Sequence, residues 1–139
     1  MAICQSVNFS PSDSSQPDSL AKSPEVFGGV EGERRRVESI REQGDTPLPC
    51  EIQAICLGET ALLGWPGEVF SSLGMAAKRG SPFAQTYVVG YANGSIGYVP
   101  TPEAFAEGGY EARCALHLAD HAGEVLVEES LDLLQKLRR

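Results

Sequence analysis

Two short apolar runs separated by only two residues restrict this chain more than any other feature. Residues 51–57 (EIQAICL) and 60–65 (TALLGW) are apolar enough on both faces to be buried strands, and only Gly58 and Glu59 lie between them. Glycine at the first central position suits a two-residue type II′ turn. The pattern therefore predicts an antiparallel hairpin, and the rest of the chain must cover it.

The flanking segments read as helices and one further strand. Pro66, Gly67 and Glu68 open a predicted helix that runs to about Arg79, with proline in the first turn, where its missing N–H costs nothing. Val69, Phe70, Leu73, Ala76 and Ala77 form its apolar stripe, and Gly80 is placed as a left-handed cap. Residues 84–90 (AQTYVVG) read as a third strand and residues 91–99 as a loop. Thr101 is placed to cap a short helix that Gly108 and Gly109 stop. A last helix is expected from about Asp120 to Leu137, burying Ala122, Val125, Leu126, Ser130, Leu133, Leu134 and Leu137. The expected fold class is α/β, with α+β also possible: a small mixed sheet of about three strands with helices packed on it. Such a sheet leaves exposed edges, as a partial domain would.

Upstream, residues 1–30 are rich in Ser and Pro with little apolar surface, and they read as a disordered tail. Residues 31–43 are charged and compatible with a weakly amphipathic helix, ended by Gly44 and Asp45. The second predicted unit is residues 31–139.

The length of 139 residues is enough for one domain with a core. A net charge of −8 argues against a nucleic-acid partner, and Arg34, Arg35 and Arg36 are offset by nearby glutamates. Cys4, Cys50, Cys56 and Cys114 form no CxxC pair, and a disulfide framework is not expected. No run is long and apolar enough to span a bilayer, and the N-terminus lacks the basic and apolar regions of a signal peptide. Neither end carries an address signal, so the compartment is not legible.

Three features could carry chemistry. Glu68 follows a strand end, where α/β proteins place ligands, and it could bind a metal or simply favour a helix N-terminus. Residues 91–111 (YANGSIGYVPTPEAFAEGGYE) are dense in Gly, Pro and Tyr, as binding loops are, although a plain surface loop has the same composition. Cys114, His117 and His121 fall at helical spacing, but without the glutamate of an HExxH zinc site they fit a pH-sensitive surface patch better. No GxSxG or activated serine is present.

Within residues 51–137, Asn93, Tyr98, Thr101, Glu103, Tyr110 and Glu111 stand at fixed spacing. They resemble the tyrosine-rich segment N-x-Y-x-x-Y-x-x-T-x-E-E-Y-x-x-Q-x-Y-E of neutral, non-lysosomal ceramidases and their bacterial relatives. Pro66, Gly67 and Glu68, about thirty residues earlier, resemble that family's Pro-small-Glu turn. Ser95, Phe105 and Gly108 depart from the pattern.

The resemblance implies the C-terminal part of the catalytic domain of a zinc amidohydrolase. Such an enzyme cleaves the linear amide C–N bond of an N-acyl sphingoid base or a related lipid amide. It implies Glu68 and Tyr98 as metal ligands and Tyr110 as the catalytic phenol that faces the substrate amide. The family's two zinc histidines lie in an N-terminal part that this chain does not contain. Zinc binding by this chain alone is therefore expected to be weak or absent, and hydrolysis slight. The alternative reading is a non-catalytic interaction or structural module that keeps the fold. A third is a small metal protein that uses Cys114, His117 and His121.

Overall fold

Residues 2–9, 42, 46–115 and 117–139 are described in the computed structural model of the chain. Among them the expected hairpin forms. Strand β2 (Leu48–Leu57) runs antiparallel to β3 (Thr60–Gly64), with Leu57 opposite Thr60. Gly58 takes φ +61 while Glu59 stays outside the left-handed region, as a type II′ turn requires. A further strand, β5 (Gln85–Val89), lies parallel to β3, and β1 (Ala2–Phe9) lies antiparallel to β2. The order β1-β2-β3-β5 makes a mixed sheet, and the helices packed on it complete an α/β fold.

Strand β1 corrects the reading of a disordered tail for residues 2–9. Val7 and Phe9, two apart, both turn onto the core side of the sheet and are 5% and 1% exposed. Partners some forty residues downstream supply the burial that the local composition does not suggest. The remainder of that tail and the charged helix expected over residues 31–43 fall outside the described residues, apart from Glu42.

The first long helix, α1 (Ser71–Gly80), starts five residues later than expected. Pro66 and Gly67 form a turn instead, and Glu68–Val69 make a two-residue strand, β4, parallel to β6 (Tyr98–Val99). The Glu68 N–H donates to Gly97 O at 2.8 Å and the Phe70 N–H to Val99 O at 3.2 Å. These bonds draw the chain into a ladder before a helical turn can close. Gly80 is the last residue of α1 rather than a left-handed cap. A Cβ there would lie 2.7 Å from Leu131 Cδ1, so the glycine serves close helix packing.

Helix α2 (Pro102–Glu107) follows expectation closely. Thr101 Oγ1 accepts from the Ala104 N–H at 3.3 Å, and Gly108 closes the helix at φ +73. A further short helix, α3 (Tyr110–Cys114), precedes the long α4 (Ala122–Arg138). Leu126, Leu133, Leu134 and Leu137 of α4 are buried, and they share a core with Ile52, Ala54, Ala61 and Leu63 of the hairpin. Trp65, just beyond β3, is fully buried. Its indole N–H donates to Ser130 Oγ at 2.8 Å, and Ser130 in turn donates to Leu126 O. A polar pair inside the core is thus satisfied at both ends.

Burial pushes the Cys50 thiol up to about 11, so this cysteine is an inert core residue. Among the described residues no helix is long and apolar enough to cross a membrane.

Candidate functional site

Because β3 and β5 are parallel, the segments that leave their C-terminal ends emerge at the same edge of the sheet. Ligand sites of α/β sheets lie at such edges. From β3 come Trp65, Pro66, Gly67 and Glu68; from β5 come Gly90, Tyr91 and the loop to Tyr98. The two segments are laced together by main-chain bonds. The Trp65 N–H reaches Val89 O at 2.9 Å, the Ala92 N–H reaches Trp65 O at 2.9 Å, and the Tyr91 N–H reaches Gly67 O at 3.2 Å.

The loop over residues 90–97 is folded tightly. Tyr91 and Asn93 adopt φ +56 and +63, and Gly94 and Gly97 adopt +132 and +80. Gly67 is required by proximity, because a Cβ there would meet Gly97 O at 2.7 Å. The small residue of the Pro-Gly-Glu turn is what lets β4 and β6 touch.

That contact brings the two predicted metal ligands together. Glu68 and Tyr98 are direct partners in the β4–β6 ladder, on the same side of a two-stranded ribbon. Tyr110, at the start of α3, packs edge-on against the Tyr98 ring, with centroids 5.9 Å apart. All three site residues named from the sequence therefore meet at one rim. The helical placement of Glu68 is the part that fails: its carboxylate is presented by a strand.

Tyr91 joins the cluster without having been singled out in the sequence. Its hydroxyl donates to Glu68 Oε2 at 2.6 Å. Parallel pairing of the two strands would have revealed it, but that pairing depends on a long crossover rather than on local pattern.

The carboxylate sets the electrostatics of the rim. The Tyr91 phenol is held above its ordinary value, first by the hydrogen bond to Glu68, then by burial and by the charges of Glu68 and Tyr98. Tyr98 is also raised, first by burial, then by the charge of Glu68 and hydrogen bonding to it, with smaller contributions from Tyr110 and Glu111. Without a cation Glu68 accepts from the Tyr91 hydroxyl, and the Tyr91 and Tyr98 phenols are held toward their protonated form. A divalent ion would reverse the preference of a phenol bound to it, because its charge favours the ionised oxygen.

The donors here are all oxygens. Among the described residues no group of three or more His, Cys, Asp or Glu side chains gathers. Glu68 and Tyr98 suit two positions of a zinc shell, whereas a catalytic zinc takes three protein ligands and keeps one position open. The donors present fit part of such a site.

Cys114, His117 and His121 do not meet as a metal group. Cys114 is buried, His117 Nε2 lies 2.8 Å from Ile96 O, and His121 Nδ1 lies 3.2 Å from its neighbour Asp120.

No family model and no curated protein sequence matches the chain. Among the solved structures that share its fold are two ceramidases. One is a ceramidase complexed with C2, with a TM-score of 0.60 and 22% identity over 68% of this chain and 18% of that one. The other is the neutral ceramidase from Pseudomonas aeruginosa, with a TM-score of 0.62 and 19% identity over 96% of this chain and 24% of that one. The chain thus spans well under a third of the length of either protein.

Proposed function

We propose that this chain is the C-terminal part of the catalytic domain of a zinc-dependent amidohydrolase of the neutral ceramidase type. Its reaction would be hydrolysis of the amide bond of an N-acyl sphingoid base or a related lipid amide. The observation that carries the reading is the direct pairing of Glu68 with Tyr98 in the β4–β6 ladder. The fold shared with two ceramidases supports it.

In this reading Glu68 and Tyr98 hold the metal, together with ligands from chain beyond this sequence. The metal, when bound, supplies positive charge to polarise the amide carbonyl and to acidify a water. Tyr110 packs against Tyr98 and is half-exposed, so in this reading it faces the substrate amide while its ring orients the ligand phenol. Beside the rim, Val69, Phe70, Met75 and Val88 form the apolar part of a groove of about 270 Å³ whose wall also includes Ser71 and Lys78. That apolar part suits a stretch of acyl chain.

Zinc titration of the full chain tests the reading. Weak uptake is expected in the wild type, reduced tenfold or more by Glu68→Gln and by Tyr98→Phe and unchanged by Tyr110→Phe. Uptake indifferent to both ligand substitutions removes the proposal. An in-frame stretch bearing zinc-ligand histidines in the coding sequence upstream would support it independently.

A second reading, a non-catalytic module, draws on the sheet face turned away from α1 and α4. There Tyr87 and Val89 are exposed beside half-buried Ile55 and Leu62. A solution dimer that buries Tyr98 would favour this reading.

A further inference from the structure

Tyr91 occupies a backbone conformation that suits few residues of its size. At φ +56 it lies in the left-handed region, where glycine and asparagine are at ease and a bulky side chain is strained. Packing does not account for the choice, since Tyr91 is 58% exposed. What the conformation achieves is local. Gly90 lets the chain approach Gly67, where a Cβ would meet Gly67 O at 3.0 Å. The Tyr91 N–H binds that same carbonyl, and the Tyr91 hydroxyl reaches Glu68 Oε2 at 2.6 Å. Main chain and side chain of one residue therefore grip two consecutive residues of the opposing segment. A strained, exposed aromatic with one polar contact, at the edge where the sheet presents its carboxylate, points to function rather than stability.

We infer that Tyr91 is a positioning residue that fixes the Glu68 carboxylate so that one orientation is offered to a cation. The inference rests on the metal reading of Glu68 and Tyr98 given above. Tyr98 is the phenol paired with Glu68 in the ladder, and Tyr91 approaches the same carboxylate from the neighbouring loop. Groups that hydrogen-bond a ligand carboxylate from outside hold its rotamer, and losing one costs roughly 10–100-fold in metal affinity.

The test uses the full chain as wild type, Tyr91→Phe, Tyr91→Asn, Glu68→Gln and the Tyr91→Phe/Glu68→Gln double variant. Zinc chloride is titrated calorimetrically, and thermal melting is followed in EDTA. Tyr91→Phe is expected to loosen zinc about 10–100-fold, with a small but measurable drop in melting temperature from the lost hydrogen bond. Tyr91→Asn is expected to loosen zinc equally yet melt a few degrees higher, because asparagine accepts the left-handed backbone. A merely structural tyrosine would not split affinity from stability in this way. In EDTA the melting shifts of Tyr91→Phe and Glu68→Gln should fall short of additivity in the double variant. Additive shifts, or a Tyr91→Phe chain that binds zinc like the wild type, overturn the inference. Where the wild type takes up no zinc, as the chain alone is expected to allow, the EDTA cycle decides alone whether Tyr91 holds Glu68, and additive shifts there overturn the inference.

Discussion

The hairpin under α4 and the rim made by β4, β6 and the tyrosine loop follow opposite rules. In the first, Ile52, Ala54, Ala61, Leu63, Leu126 and Leu134 have no exposed surface, and the polar atoms of Trp65 and Ser130 are paired. In the second, Tyr91 and Tyr110 are 58% and 37% exposed, two non-glycine residues hold positive φ, and the ladder is two residues long. The difference teaches where each kind of free energy resides. Burial accumulates in the hairpin layer, and the rim uses that rigidity to hold groups that would not assemble alone.

The most severe way to challenge this contrast is Leu134→Ala. Removing a fully buried leucine should cost about 2–5 kcal/mol in denaturant unfolding. The molecules that remain folded should keep whatever cation affinity the wild type has. A loss of affinity without a loss of stability would show that the two regions are not separable.

Gly67→Ala should act the other way round. Its new methyl would press on Gly97 O, and relief of an overpacked contact costs about 1–3 kcal/mol. Because the strain falls between β4 and β6, Glu68 should part from Tyr98, and zinc uptake should fall further than stability does. Parallel titration and denaturation of the variant would read both.

The smallest expected effect is a pH slope. Arg138 Nη1 lies 2.8 Å from Glu59 Oε1, joining the end of α4 to the hairpin turn at an exposed position. The hydrogen bond from Arg138 holds the Glu59 carboxyl below its usual range. A carboxyl lowered by folding stabilises above its unfolded pKa and loses that contribution as acid carries it through the lower, folded one. Stability should therefore decline slightly on acidification, less so in high salt, and Glu59→Gln should flatten that part of the profile in pH-dependent melting.

What could be read from the sequence follows the same division. The hairpin, α2 and α4 announce themselves through a glycine turn, a threonine cap and a leucine stripe, which are all local signals. Strand β1 does not, because Val7 and Phe9 gain meaning only from partners some forty residues away. The β4–β6 ladder is too short to leave a periodic trace, so Glu68 looked like a helix start. Glu68, Tyr98 and Tyr110 entered through family resemblance rather than spacing, and the fold brings them to one rim. Tyr91 belonged to neither signal, since its role depends on the parallel alignment of β3 with β5.

The chain contains a single tryptophan. The Trp65 indole is fastened to α4 through Ser130, while its own N–H and carbonyl are tied to Val89 and Ala92, where the tyrosine loop begins. One natural fluorophore thus straddles the junction of body and rim. Its emission wavelength and quenching would register a shift of that loop against the helix, so cation uptake could be followed optically without attaching any label.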